Sequence, residues 1–291
     1  MRRFILLILA FITLLPSLAQ AYDVLVLQSR RDAGYEEVLK GFRTERTVSQ
    51  RVIVLSDYAE VDIVRIVRED RPKLIFAVGD AALTAARKVR NTPVVAVMAL
   101  GIHSMKASQP NLTGIGMLAP PERYIRMFRT MKTGRVGVIY NPAGSGWYLR
   151  LARQAAEAAG IELVAREVSA PRETVEQLST LAGKVDALWM LPDSTAVTRE
   201  TTEAYFRFGQ QQAVPVVSFA VNYLGLGAAA VTDIDRIAMG RQAYAMVAAL
   251  LRGDRIGSTP LDFPGGITLK TNPSVLKQLG YSFNENNSLV H

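Results

Sequence analysis

Apolar residues fall in short unbroken runs, and polar stretches with helical spacing separate them. Residues 23–29 (DVLVLQS), 51–56 (RVIVLS), 73–79 (KLIFAVG) and 93–98 (PVVAVM) each lack the alternation of a half-exposed strand, so each predicts a strand buried on both faces. Between them, residues 35–46, 61–70 and 80–89 carry helical patterns. The rhythm then begins again. Strands are predicted at 135–140, 161–165, 185–191 and 214–220, with helices at 146–159, 172–182 and 198–212. Strands alternating with helices build βαβ units around a parallel sheet. Two such series predict an α/β fold of two doubly wound parallel-sheet lobes.

The remainder differs in character. A Gly/Ala-rich stretch at 225–230 leads to a long helical pattern at 235–252, ended by Gly253, and a late strand at 267–270. An appended helix and strand suit a chain that returns between lobes, with crossings near 115–118, 223–233 and 260–266. The expected boundaries are 22–116 plus about 232–259 for the first lobe and 117–231 plus about 260–282 for the second. The polar residues 283–291 are expected to form a flexible tail.

Residues 1–21 open with Met1-Arg2-Arg3, run apolar from Phe4 to Leu15 and end on Ala19-Gln20-Ala21, the pattern of a cleaved secretory signal. The run is too short for a membrane span, which needs about 20 apolar residues. The mature chain is therefore expected to begin at Tyr22 and to be soluble in the periplasm.

The whole chain has 34 basic and 26 acidic residues; loss of Arg2 and Arg3 leaves a net charge of +6. That excess is scattered, without basic runs interleaved with aromatics, so nucleic acid is not an expected partner. There is no cysteine, so stability must come from apolar cores rather than disulfides. His103 and the terminal His291 are the only histidines, which excludes a transition-metal site of N and S ligands. No cofactor is expected. Neither a G-x-S-x-G elbow nor a G-x-x-x-x-G-K-[ST] loop is present, so serine hydrolysis and nucleotide hydrolysis lack their parts. The segment GLGAAA fits G-x-G-x-x-A but follows a loop and leads into no helix, so it reads as a hinge-region loop.

Candidate chemistry gathers where strands end. "KLIFAVGDAALTAARK" (73–88) and "DALWMLPDSTAV" (186–197) each run a strand into an acid followed by small or hydroxyl residues, and each precedes a Pro-Val-Val strand. Ligands of open α/β sheets bind beyond the carboxyl ends of the strands. Asp193 reads either as a helix N-cap, worth about 1 kcal/mol, or as the partner of a ligand ammonium; its place at a strand's carboxyl end favours the ligand. Asp80 carries both readings equally. Helix starts at Asp80-Ala81, Ser145-Gly146 and Ser194-Thr195 would offer unpaired N–H groups to a carboxylate, with the hydroxyls of Ser29, Ser145, Ser194, Thr195 and Ser218 beside them. Each hydroxyl alone also reads as a cap or turn residue. Trp147 and Tyr148, and likewise Phe219 and Tyr223, read either as core packing or as an aromatic wall for a flat ligand.

Taken together, the leader, the two lobes, "NLTGI" (111–115), "VGVIYNPAGSGWY" (136–148), "WMLPDSTAV" (189–197), "MGRQAYAMVAALLRGD" (239–254) and "ITLKTN" (267–272) resemble the ABC-transporter substrate-binding proteins of type I periplasmic fold. The nearest branch by these motifs is the one whose members bind tryptophan, tyrosine or phenylalanine. The resemblance implies ligand-facing roles for Gly79, Asp80, Ala81, Asn141, Asp193 and Ser194, a hinged interlobe cleft closing on one small-molecule ligand, a monomer, and an ABC permease of the inner membrane as partner. Two departures stand out: Ala99-Leu100-Gly101-Ile102-His103 replaces an Asp-Pro pair, and Gly144-Ser145-Gly146-Trp147-Tyr148 replaces a small polar run. A sensory protein presenting the solute to a membrane receptor shares this chemistry. A small-molecule enzyme on the same fold is the weaker alternative, since no nucleophile and base can be paired.

Overall fold

The structure, a computed structural model, describes residues 22–45, 47–106, 108–256 and 261–281. The leader and its cleavage point, part of the expected crossing near 260–266 and the polar tail lie outside the described residues. The chain divides into two compact units: the described residues as far as Gly114 with Ala243–Leu261, and Ile115–Gln242 with those from Asp262 onward.

In the first unit, strands β1 (Val24–Gln28), β2 (Gln50–Val54), β3 (Leu74–Val78), β4 (Val94–Val97), β5 (Leu112–Ile115) and β11 (Leu261–Asp262) form one sheet in the order β11-β5-β4-β3-β1-β2. The pairs β1·β2, β1·β3, β3·β4 and β4·β5 are parallel. Helices α1 (Ala33–Phe42), α2 (Ile63–Asp70), α3 (Asp80–Ala86) and α4 (Ile102–Lys106) connect them. All of Val24 to Leu27 and Leu74 to Val78 is buried. Each such Val or Leu contributes about 1.5–3 kcal/mol by leaving water, which is why these runs carry no polar residue. Phe42 stacks on Phe76 with ring centroids 4.3 Å apart, fixing α1 on the sheet. One expectation fails at the edge: Arg51 and Val52 of β2 are exposed, because β2 is the last strand and is not covered on both faces.

The second unit repeats the plan. Strands β6 (Arg135–Tyr140), β7 (Glu162–Glu167), β8 (Ala187–Trp189), β9 (Val216–Ser218), β10 (Ala230–Ile234) and β12 (Ile267–Thr271) lie in the order β12-β10-β9-β8-β6-β7. All pair in parallel except β10 with β12. Helices α5 (Pro121–Thr130), α6 (Pro142–Ala158), α7 (Glu173–Ser179) and α8 (Arg199–Gln212) pack around it, and α10 (Pro273–Gln278) follows β12. Trp189 is fully buried, with its ring 4.7 Å from Tyr124 and 5.8 Å from Phe128. Both sheets are doubly wound α/β sheets in which the second strand lies on one side of the first and the third on the other, so the switch points lie between β1 and β3 and between β6 and β8.

Helix α9 (Arg236–Leu251) carries the second passage between units, at Gln242 to Ala243. The crossing expected near 223–233 is instead a 3-10 helix, Val221–Leu226, followed by β10. The Gly/Ala stretch is therefore not a hinge loop: Ala228 to Val231 is fully buried, and Thr232 to Ile234 pairs with β12.

Candidate functional site

At the first switch point one hydroxyl joins two strand ends. Ser29, just past β1, donates from Oγ to the Val78 carbonyl (3.0 Å) and accepts from the Ala82 N–H (2.9 Å). This holds the β3–α3 turn against β1. The turn requires Gly79: its φ is +93° and ψ is 167°, a region open essentially to glycine alone. A Cβ there would also fall 2.5 Å from Ser29 Oγ and 2.6 Å from the Tyr35 hydroxyl. Asp80 and Ala81 then open α3, both exposed. The Asp80 carboxylate accepts from the N–H groups of Gly101 (3.0 Å) and Leu100 (3.2 Å), tying in the loop after β4. In that loop Met98 has φ +55°, uncommon for a residue with a side chain.

The second switch point is joined by a carboxylate. Asp193 is 5% exposed. Its Oδ2 accepts from the Asn141 N–H (2.7 Å) and the Ser145 hydroxyl (2.5 Å), and its Oδ1 from the N–H groups of Thr195 (2.8 Å) and Ala196 (2.9 Å). A carboxylate has about four acceptor positions, so protein donors occupy them all. The side chain expected to meet a ligand ammonium therefore serves the protein, clamping the turn after β8 to the start of α6. Asn141 is the N-cap of α6: its Oδ1 accepts from Gly144 N–H (3.0 Å), and its Nδ2 donates to the Val168 carbonyl (2.9 Å).

Several expectations are corrected here. No helix begins at Ser194-Thr195. Those residues form a turn, and α8 starts after Thr198, which makes a capping box with Thr201. The N–H of Thr195 is bound by Asp193, so this turn is not an open helix end for a carboxylate. Helix α6 starts at Pro142, placing Ser145 and Gly146 inside its first turns rather than at its end. Tyr148 is 1% exposed: its ring packs near Trp189 and Phe263, and its hydroxyl donates to the Ala119 carbonyl (2.6 Å). It belongs to the core, and burial pushes its phenol well above the ordinary range. Ser218 is fully buried in β9 and its hydroxyl has no hydrogen-bond partner among the described residues. It reaches no surface from which a ligand could approach.

Among the expected residues, Ser194 keeps an exposed side chain, Asn141 and Phe219 keep partial exposure just past β6 and β9, and Trp147 keeps partial exposure within α6. Trp147 packs edge-on to Tyr148 (5.6 Å) and Phe219 edge-on to Tyr223 (5.3 Å). Reasoning from sequence missed Tyr35, Arg30 and Leu100, all near the first switch point. The signal was present: "QSRRDAGY" (28–35) also runs from a buried strand through an acid and small residues into a helix, as the 79–81 segment does. No group of three or more His, Asp or Glu side chains among the described residues is placed to hold a metal ion. No described helix is long and apolar enough to cross a membrane.

Residues 26–290 match a family model described as ABC transporter substrate binding protein. A curated relative, the tyrosine-binding protein of Clostridioides difficile (strain R20291), is 22% identical over 221 residues, which is 72% of this chain and 64% of that protein. The match thus spans less than two thirds of the relative's length. Among solved structures, the ligand-free, open form of a substrate-binding protein with adhesive properties from Clostridium difficile aligns with a TM-score of 0.70 at 17% identity, covering 92% of this chain and 97% of that one. An ABC domain in complex with L-Trp from Streptococcus pneumonia aligns with a TM-score of 0.62 at 18% identity, covering 90% and 96%. At such identities these structures speak for the fold, which is that of the type I periplasmic binding proteins.

Proposed function

The chain belongs to the ABC transporter substrate-binding protein family, and from that premise we propose that it captures an amino acid with an aromatic or other apolar side chain for import. In this reading the leader directs export to the periplasm, the mature chain begins at Tyr22, and the loaded protein delivers its ligand to an ABC permease. No catalytic step is assigned to it.

The observation that carries the reading is the state of the two switch points. In each sheet, side chains bonded to backbone hold the loops beyond the strand ends: Ser29 and Asp80 in the first, Asp193 and Asn141 in the second. Loops preorganised in this way spend little further entropy on binding. Asp80 takes the role once expected of Asp193. It is exposed, and its two backbone donors leave acceptor capacity for an α-ammonium. Within the second unit, Trp147 and Phe219 keep partly exposed rings and Ser194 an exposed hydroxyl near the carboxyl ends of the strands. The tyrosine-binding relative and the L-Trp-bound neighbour favour the same ligand class.

The test is a thermal-shift screen over amino acids, purines, sugars and oligopeptides. A ligand at about 100 times its Kd adds about 2.7 kcal/mol to the state that binds it. L-phenylalanine, L-tyrosine or L-tryptophan should raise the melting temperature; a shift with a sugar or a purine alone would show the ligand class to be wrong. Uptake of the labelled amino acid, lost on deletion of the gene, separates import from sensing.

A further inference from the structure

The first unit holds a cation and an aromatic ring that the expected site did not include. Arg30 follows Ser29 at the carboxyl end of β1. Its guanidinium carbon lies 5.6 Å from the centroid of the Tyr35 ring, and its side chain is 64% exposed. One nitrogen pairs with Asp32 Oδ2 at 3.1 Å, while Asp32 Oδ1 caps α1 by accepting from the Gly34 N–H. A guanidinium carries five donors, so most of this one remains available. Its backbone is anchored from beneath: Gln28, 1% exposed at the end of β1, donates from Nε2 to the Arg30 carbonyl (2.9 Å) and to Glu36 Oε1 (2.8 Å). A buried amide spent on holding one loop carbonyl positions the residue that carries it.

Tyr35 stands at the switch point itself. Its hydroxyl comes so near Gly79 that a single added carbon there would collide with it, and Asp80 is the next residue along. No hydrogen bond engages that hydroxyl among the described residues, although the ring is half-buried. Burial raises its phenol above the ordinary value, against the opposing pull of Arg30. A guanidinium over an aromatic face can read a carboxylate through paired N–H groups, and the ring offers the fork a supporting surface.

We propose that Arg30 is the carboxylate-reading residue for the ligand and that the ring of Tyr35 supports it and forms the first unit's aromatic wall. The assignment rests on the reading above that the ligand is an amino acid. It also divides the labour, with Arg30 taking the carboxylate and Asp80 the ammonium.

The experiment is a comparison of L-phenylalanine, L-tyrosine and L-tryptophan with their primary amides, by calorimetric titration of the mature protein and of Arg30→Gln, Tyr35→Phe and Tyr35→Leu. Wild type should prefer the acid over the amide by tenfold or more. In Arg30→Gln that preference should shrink below about threefold, with the melting temperature of the free protein unchanged because the ion pair it loses is exposed. Tyr35→Phe should bind within about twofold of wild type and Tyr35→Leu at least fivefold more weakly. If wild type binds an acid but Arg30→Gln keeps the full preference, or if Tyr35→Leu binds like wild type, this assignment is overturned while the proposed ligand class stands. If wild type binds none of the three acids, both are overturned.

Discussion

Replacing Asp193 separates its two readings, helix cap and ligand contact, of which the sequence favours the second. The structure gives its carboxylate four donors and leaves none of its acceptor positions for a ligand. Asp193→Ala would strand the N–H groups of Asn141, Thr195 and Ala196, while the Ser145 hydroxyl can turn toward the Asn141 carbonyl, already 3.4 Å away. An unpaired buried donor costs about 1–3 kcal/mol. Because Asn141 and Thr195 keep some exposure, water recovers part of this, and a net loss of about 3 kcal/mol is expected. At about 2–4 °C per kcal/mol for a domain of this size class, the melting temperature should fall by about 6–12 °C. Asp193→Asn should lose about half as much. Its amide can turn its oxygen to Thr195 and Ala196 and its NH2 to Ser145, leaving the Asn141 N–H as the main loss. Thermal melts of the ligand-free protein by circular dichroism read this directly. A melt of Asp193→Ala within 2 °C of wild type, combined with a tenfold loss of ligand affinity, would refute the clamp and restore Asp193 as a ligand contact.

Two further outcomes follow from single residues. Gly79→Ala places a methyl against Ser29 and Tyr35 in a backbone region that alanine avoids, so a loss of about 1–3 kcal/mol is expected from the backbone alone; a urea midpoint equal to wild type would show that the turn relaxes freely. Burial lowers the pKa of His103 from 6.5 to about 4. Between those values the unfolded chain takes up a proton that the folded chain refuses, so stability is full above pH 6.5 and falls as the pH drops toward 4. With a discount for partial exposure, the loss from pH 7 to pH 5 is about 1–2 kcal/mol, and His103→Gln should flatten the stability profile in that window. An unchanged slope in the variant would assign the effect elsewhere.

The central strands were legible because burial on both faces demands an unbroken apolar run, and β1, β3, β4 and β6 show one. What escaped was structure that tertiary contacts impose against local preference. Ala228, Ala229 and Ala230 have little intrinsic strand tendency, yet all three are fully buried where β10 joins the sheet. Similarly, β5 contains Gly114, where a side chain would strike the Ala96 carbonyl of the neighbouring strand. Only that neighbour explains a glycine inside a strand. Helix α5 was readable, with proline at its start and Tyr124, Ile125, Met127 and Phe128 on one buried face, and so was the fate of Tyr148. Tyr148, Ala152 and Ala156 recur every four residues on the buried stripe of α6, and Trp147 lies off it.

The two acids show a different limit. Asp80 and Asp193 occupy equivalent places, each after a strand and before small or hydroxyl residues, and sequence gives both the same pair of readings. Their difference lies in how many donors converge on each carboxylate, and in Asp193 two of the four come from Asn141 and Ser145, about fifty residues away along the chain. Asp80 receives two, from Leu100 and Gly101, and stays exposed. The carboxylate with acceptor positions to spare has room for a further donor, and the saturated one can only hold its own loop.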